Sequence, residues 1–419
     1  MLNLQSIVEK YSFDVIIIGG GAAGFFAAIN IAEAQPSLKI AILEKGKQGL
    51  QKVKISGGGR CNVTHAEFVP SDLVINYPRG EKELLGPFHT FMTGDTITWF
   101  EERGVPLKIE EDGRMFPESD SSQTIIDCFL NEANKLGIEI FYNHTVTKVA
   151  YHSELVEVSK TNNWYEIDAS KAIMKCQYLV MATGSSPKMW KLLRNLGHKI
   201  VDPVPSLFTF DIKDIRIKDI PGVVVQNTYV SVLETKLASS GPILITHVGL
   251  SGPAILKLSA FGALELAKLN YHFKIKVNFT TLEKESCVAQ LLQFKNDLAK
   301  KQVFSTVCFN IPKRLWRNLV LNSGIAKEVR WAELNKNQTQ NLASQLTEAI
   351  FEVTGKSTFK EEFVTAGGVE LSEINFKTFE SKLFPNLYFA GEVLNVDAVT
   401  GGFNFQNAWT GAFMVAKSF

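Results

Sequence analysis

The sequence predicts an α/β protein in which segments near both chain ends build one domain around a β-rich and helical insert. Three observations carry this. An apolar strand runs through a G-x-G-x-x-G turn into an apolar helix and a second strand between residues 14 and 44. Two further apolar strands end in small residues, at 178–184 and 387–392. From about Asn195 the texture changes to short β-like pieces between Pro and Gly turns, and from 281 to helical spacing.

Composition bounds the rest. The chain has 419 residues, 44 Lys+Arg against 43 Asp+Glu, a net charge of +1, and 45% hydrophobic against 21% charged residues. This excludes disorder, collagen-like repeats and a polybasic tail, and the length suits two or three domains. The five cysteines, Cys61, Cys128, Cys176, Cys287 and Cys308, form no C-x-x-C pair and no metal-like cluster. Reduced thiols, a cytoplasmic location and no metal are therefore expected. The N-terminal MLNLQSIVEKYSFD has no basic n-region or cleavage site, so no signal peptide is expected. Val15–Ala32 carries no charge and has the length of a short membrane helix. Its β-branched run and three glycines read instead as strand, turn and helix.

In chain order, the strand Asp14–Ile18 leads into Gly19-Gly20-Gly21-Ala22-Ala23-Gly24, and a helix follows to about Ala34. Gly19 suits the tight turn, Gly21 a close approach of backbone to a pyrophosphate, and Gly24 close helix–strand packing. The helix end, with Ala22 and Ala23, offers free N–H groups and a positive dipole. Glu44 closes the second strand at the spacing of a ribose-binding carboxylate, followed by Lys45. A Gly-rich turn in an ordinary α/β protein is the plainer alternative, and the strand–helix–strand context tells against it.

A second loop, Ile55-Ser-Gly-Gly-Gly-Arg-Cys-Asn62, comes soon after the acid, which suits an extended cofactor such as FAD; a mobile connection would also hold three glycines. Thr183 and Gly184 end one apolar strand and Gly391 and Glu392 another, while Gly401 and Gly402 precede an apolar helix. A helix N-terminus there would stabilise charge on a reduced flavin ring. The candidate cofactor-binding set is Gly19, Gly21, Ala22, Ala23, Gly24, Glu44, Lys45, Gly58, Gly59, Arg60, Cys61, Asn62, Val146, Thr183, Gly184, Gly391, Glu392, Gly401, Gly402, Phe403 and Asn404.

These segments, with ITHVGLSGPAIL at 245–256 and TAGGV at 365–369, resemble the YhiN-like flavoproteins, the BaiN/RdsA family of FAD-dependent reductases. The likeness runs over essentially the whole chain. It implies FAD in a glutathione-reductase-like Rossmann domain built from both chain ends, with an inserted β-barrel-like and helical domain. It also implies reduction of C=C bonds, one branch acting on steroid-like bile-acid intermediates and another forming dihydrouridine in 23S ribosomal RNA. His65, Asn395 and Ala398 depart from residues common in that family.

The expected domains are 1–195 with 359–419 for FAD, 196–280 with 342–358 for the β-rich insert, and 281–341 for a helical insert. No second G-x-G-x-x-G lies between 100 and 360, so NADH or NADPH is expected as a transient donor without a domain of its own. Residues 281–340 hold ten Lys/Arg and five Asp/Glu. Within them, 311–317 (IPKRLWR) reads either as a ribosomal RNA contact, with Trp316 stacking on a base, or as a solvated basic face. His247, Cys61 and Arg60 are the catalytic candidates: a proton donor, a thiol beside a cation, and an orienting guanidinium. For His247 and Cys61 a structural or packing role is the plainer alternative.

The expected function is an NAD(P)H-driven, FAD-dependent reductase of an activated C=C bond, the uridine of ribosomal RNA being preferred because of the basic insert. A small cyclic enone is the alternative substrate, and an RNA-binding or assembly protein with structural FAD the alternative class. No motif of a hydrolase or ATPase occurs, and neither a DNA nor a membrane partner is expected.

Overall fold

Over 15–18, 40–43, 179–181 and 387–389 the parallel strands are buried and apolar on both faces, which only a sheet covered on both sides accommodates. The structure is a computed structural model describing residues 9–157, 160–357 and 364–419. Most of the N-terminal segment read above, and the expected 358/359 boundary, lie outside the described residues. The chain forms two compact units, Met1–Pro203 with Thr365–Phe419, and Val204–Val364.

In the first unit Leu387–Phe389, Ala172–Met181, Glu9–Ile18, Ile40–Leu43 and Glu139–Phe141 run parallel in that spatial order. Val15, Ile16 and Ile17 are fully buried. The helix Ala22–Ala34 returns over this sheet and packs on the C-terminal helix Phe403–Lys417. Covered on both sides, it is apolar nearly all round. Phe25, Phe26, Ile29 and Ile31 are fully buried, each worth roughly 1.5–3 kcal/mol of burial. Its one polar core residue, Asn30, is satisfied by donating to the Phe26 carbonyl at 2.6 Å and accepting from Trp99 Nε1 at 3.2 Å. A small antiparallel sheet, Thr64–His65, Arg114–Pro117 and Leu107–Ile109, lies in the same unit.

His198, buried after the helix Pro187–Leu196, makes a hydrogen bond to Glu373 at 2.8 Å and another to Ser381 at 3.2 Å. Burial lowers its pKa from 6.5, and Glu373 only partly offsets this. Below about 6.5 the unfolded chain therefore takes up a proton that the native chain resists, and stability falls as pH drops through that range. Thermal midpoints measured from pH 7.5 to 5 should decline less steeply for His198→Gln than for the wild type. Parallel declines would remove His198 from the account.

The second unit is a seven-stranded sheet of antiparallel pairs. Its two terminal strands, Ala349–Val353 and Gly355–Ser357, are joined through Thr354 alone. The sheet must therefore curl until its edges nearly meet, which gives the barrel-like form. The helices Lys284–Asp297, Lys313–Asn322 and Lys336–Thr347 do not keep a core of their own. Leu291, Trp316, Leu319 and Leu342 belong to one apolar cluster with Phe210, Ile275 and Phe351 of the strands. Residues 281–341 are thus part of a single unit with the β-rich segment. Of the two readings of 311–317, the structure excludes base stacking by Trp316: it is fully buried, and its Nε1 donates to the Val303 carbonyl at 2.8 Å. Among the described residues no helix is long and apolar enough to cross a membrane.

Candidate nucleotide-binding site

The site forms at the carboxyl edge of the parallel strands, where consecutive loops leave the sheet and unpaired backbone groups accumulate. Gly24 sits in the first turn of the helix against the preceding loop, so close that a Cβ there would stand 1.9 Å from the Gly19 carbonyl oxygen. Only glycine lets the helix begin at that distance. Gly21, by contrast, faces open space. The helix start has no side-chain cap and no acid in its first turn, so its N–H groups and positive end stay available to an anion.

Glu44 follows the second strand and turns back onto the glycine loop. One carboxylate oxygen accepts from Gly20 N–H at 3.0 Å, the other from Gly46 N–H at 2.7 Å. The carboxylate is thereby oriented by two amides, and each oxygen keeps acceptor capacity for a hydroxyl. Burial, with the Glu44 charge second, raises the pKa of nearby Tyr142. Lys45 is exposed, and Val146 is buried at the start of a long hairpin strand.

The helix Gln51–Gly59 unwinds at Ser56, and Gly57, Gly58 and Gly59 have φ of +57°, +68° and +88°. Three left-handed residues in a row are tolerable only as glycine. Nothing lies within 4 Å of where a Cβ of Gly58 or Gly59 would be, so this stretch presents bare, accessible backbone. Arg60 is engaged elsewhere: its guanidinium meets Glu110 at 2.6 Å and Asp120 at 3.4 Å and lies over the Phe116 ring. Cys61 is fully buried, and burial pushes its thiol up to about 12. It is protonated near neutral pH, which speaks for packing and against thiolate chemistry.

Asn62, with its amide turned to satisfy its surroundings, accepts from Gly402 N–H at 3.0 Å and donates to the Thr64 carbonyl at 3.0 Å. A Cβ on Gly402 would stand 2.5 Å from the Thr64 carbonyl oxygen. The two loops are therefore locked side by side ahead of the C-terminal helix. Phe403 stacks on His65 at 4.5 Å, and Asn404 grips the Ala398 backbone through both amide atoms. Below them runs a buried polar chain: Thr64 and Thr96 donate to Gln406, which donates to Thr410, which donates to the Phe91 carbonyl.

The remaining strand ends close the edge. Gly391 packs against Ala23 and Ala408, and a Cβ on it would lie 3.1 Å and 3.7 Å from theirs. Glu392 lies beside Gly184 and pairs with Lys52 at 2.5 Å, and Lys52 also reaches Ser185. Thr183 leaves its buried hydroxyl oxygen without a partner. All four glycine-rich segments thus converge on one edge of the first unit.

Five contributing residues escaped the sequence reading. Gly20 lay inside a segment already singled out, and Lys52 three residues before another. The buried ion pair of Arg79 with Asp397, and Gln406, carry no local motif. His247 belongs to the second unit, exposed in the Thr246–Gly249 turn, which Thr246 closes by accepting from Gly249 N–H at 3.1 Å.

The donor set fits a dinucleotide. An uncapped helix end beside open space at Gly21, a ribose-type carboxylate, bare backbone at Gly58–Gly59 and the orphaned Thr183 hydroxyl are what phosphates, a ribose and a polar ring edge would fill. Among the described residues no cluster could hold a metal ion.

Comparisons with known proteins agree with this geometry. The family described as "HI0933-like protein Rossmann domain" matches residues 13–418. The ribosomal RNA dihydrouridine synthase of Escherichia coli K12 is 28% identical over 417 residues, covering 97% of each chain. The 3-dehydro-bile acid delta(4,6)-reductase of Clostridium scindens is 26% identical over 408 residues, covering 96% of this chain and 98% of that one. The 3-ketosteroid-delta4-(5alpha)-dehydrogenase of Rhodococcus jostii RHA1, solved with 4-androstene-3,17-dione, shares the fold at TM-score 0.52 and 11% identity, covering 98% of both chains.

Proposed function

The chain belongs to the HI0933-like Rossmann family, a group of FAD-dependent oxidoreductases, and from that premise we propose that it reduces a uridine of ribosomal RNA to dihydrouridine. The observation that carries the flavin reading is the convergence of the four glycine-rich segments on one sheet edge. The RNA reading is supported by the full-length likeness to a ribosomal RNA dihydrouridine synthase.

Bound FAD supplies the hydride for the C=C bond. The protein's part is to hold and orient. The helix end at Gly21–Ala23 binds the pyrophosphate through N–H groups and dipole. Glu44, aligned by Gly20 and Gly46, takes the ribose hydroxyls. Backbone at Gly58 and Gly59, and the start of the helix after Gly402, would hold the ring, and the positive helix end would favour negative charge beside it. NADH or NADPH docks transiently as reductant.

Two measurements test this. The purified chain, loaded with FAD and kept anaerobic, should lose its oxidised-flavin absorbance on addition of NADPH or NADH. Flavin that stays oxidised with both would favour a structural role for FAD. Ribosomal RNA from a strain lacking the gene should be depleted in dihydrouridine and regain it on complementation. Unchanged dihydrouridine beside turnover of a cyclic enone would replace the RNA reading by the small-molecule one, which the bile-acid reductase likeness supports.

A further inference from the structure

The second unit gathers a set of cations that the chain scatters over thirty-odd residues. Between 298 and 331 there are seven Lys/Arg and a single acid, Glu328. They come from three segments: Lys300 and Lys301; Lys313, Arg314 and Arg317; Lys327 and Arg330.

Backbone and side-chain bonds draw these segments together. Val303 N–H donates to the Val329 carbonyl at 3.0 Å, and Trp331 N–H to the Lys301 carbonyl at 2.9 Å. Gln302 and Arg330 form an antiparallel bridge. The helix Lys313–Asn322 is pinned to the first segment by the buried bond from Trp316 to Val303. Phe304 sits at the junction, with the Arg317 guanidinium 5.1 Å and the Lys327 ammonium 5.7 Å from its ring centre. All seven are exposed except Arg317, which is half-buried. Among the described residues none of the seven forms an ion pair with a carboxylate.

Two features make this more than a solvated face. Lys313 and Arg314 occupy the first turn of their helix, whose start has no side-chain cap and no acid. Cations at the positive end of a helix are locally unfavourable, and a bound anion would remove that cost. Arg317, half-buried, forms no ion pair among the described residues, and its guanidinium, 5.1 Å from the Phe304 ring centre, keeps donors for an anion.

We propose that this surface grips the phosphodiester backbone of the substrate RNA, with the helix end and Arg317 on phosphates and Phe304 keeping Arg317 and Lys327 in place. The proposal rests on the ribosomal RNA reading above. Single-stranded RNA suits it because each phosphate matches one cation and the flexible strand can follow three short segments. The proposal involves no buried aromatic stacking.

The test uses full-length, FAD-loaded protein carrying Lys300→Gln, Lys313→Gln, Arg314→Gln and Lys327→Gln together. Its affinity for a single-stranded oligouridylate should fall by roughly 100-fold, and the slope of log K against log salt should become shallower by roughly 2–3. Flavin content and NADPH-driven flavin reduction should match the wild type. The thermal midpoint should hold or rise, because the helix end is relieved. Unchanged affinity and slope would overturn the assignment, as would equal binding of wild type to duplex DNA or phosphatidylserine vesicles. A deletion strain that loses dihydrouridine while the variant binds RNA normally sinks only this surface. A wild type that binds no oligouridylate, with ribosomal dihydrouridine unchanged on deletion, sinks the RNA reading as well.

Discussion

Gly24→Ala is expected to yield a chain that no longer retains flavin. The added methyl carbon would stand 1.9 Å from the Gly19 carbonyl oxygen and 3.1 Å from its carbon. The clash is with backbone of the loop proposed to hold the phosphates, so no side-chain rotation relieves it. Overpacking of this kind costs about 3 kcal/mol, which corresponds to ~100-fold in affinity if the loop relaxes in the free protein and has to be restored on binding. Gly21→Ala separates fold from ligand. Its φ of −97° suits alanine, and nothing lies within 4 Å of the new carbon. The apoprotein should therefore melt as the wild type does, while FAD titration, followed by quenching of flavin fluorescence, should show weakened binding. Normal FAD binding by Gly21→Ala would mean that the open space beside the helix end is not where the pyrophosphate lies.

Asp397→Asn should be the most destabilising single change of charge in the first unit. Asp397 is fully buried and holds Arg79, itself nearly buried, through two parallel hydrogen bonds. Removing one charge leaves the other buried and uncompensated, at about 3–5 kcal/mol. The pair ties the segment before Gly401–Gly402 to the loop at Arg79, so urea unfolding and flavin retention should fall together. The double change Arg79→Met with Asp397→Leu should recover much of the stability, since an apolar pair of similar volume has no charge to desolvate. If Asp397→Asn unfolds at the wild-type urea concentration, the pair contributes specificity rather than stability.

Much of the first unit is written in local pattern. Residues 14–44 declare strand, turn, helix and strand because glycine spacing and a change of apolar period act over a few residues. The same holds for the turn at 401–402 and the helix after it. The triple glycine at 57–59 was visible as a loop, but not the reason for it: three consecutive left-handed residues on a helix that unwinds at Ser56. The boundaries between units were harder to read. Residues 281–341 have the texture of a separate helical domain, yet their apolar faces close the barrel's core. A helical face records only that it is buried, not against what.

Side-chain fates diverged for the same reason. Trp316 lies among three cations in sequence, and adjacency suggested an exposed aromatic. On a helix, residues two apart point about 160° from one another, so Trp316 faces the core while Arg314 faces solvent, and Lys313 is exposed as the first residue of the helix. Cys61 beside Arg60 invited a lowered thiol pKa, but the Arg60 guanidinium turns to Glu110 and the thiol is sealed from water.

By itself the sequence determined the glycine turn at 19–24 and the strand–helix order around it, because these depend on backbone freedom and periodicity within short windows. Only the tertiary structure decided which distant groups meet. It joined Arg79 to Asp397 across 318 residues, aimed Glu44 back at Gly20, and brought Arg317 and Lys327 to the ring of Phe304. Such meetings are set by how the sheet and barrel close, and burial and charge pairing take their energies from that closure.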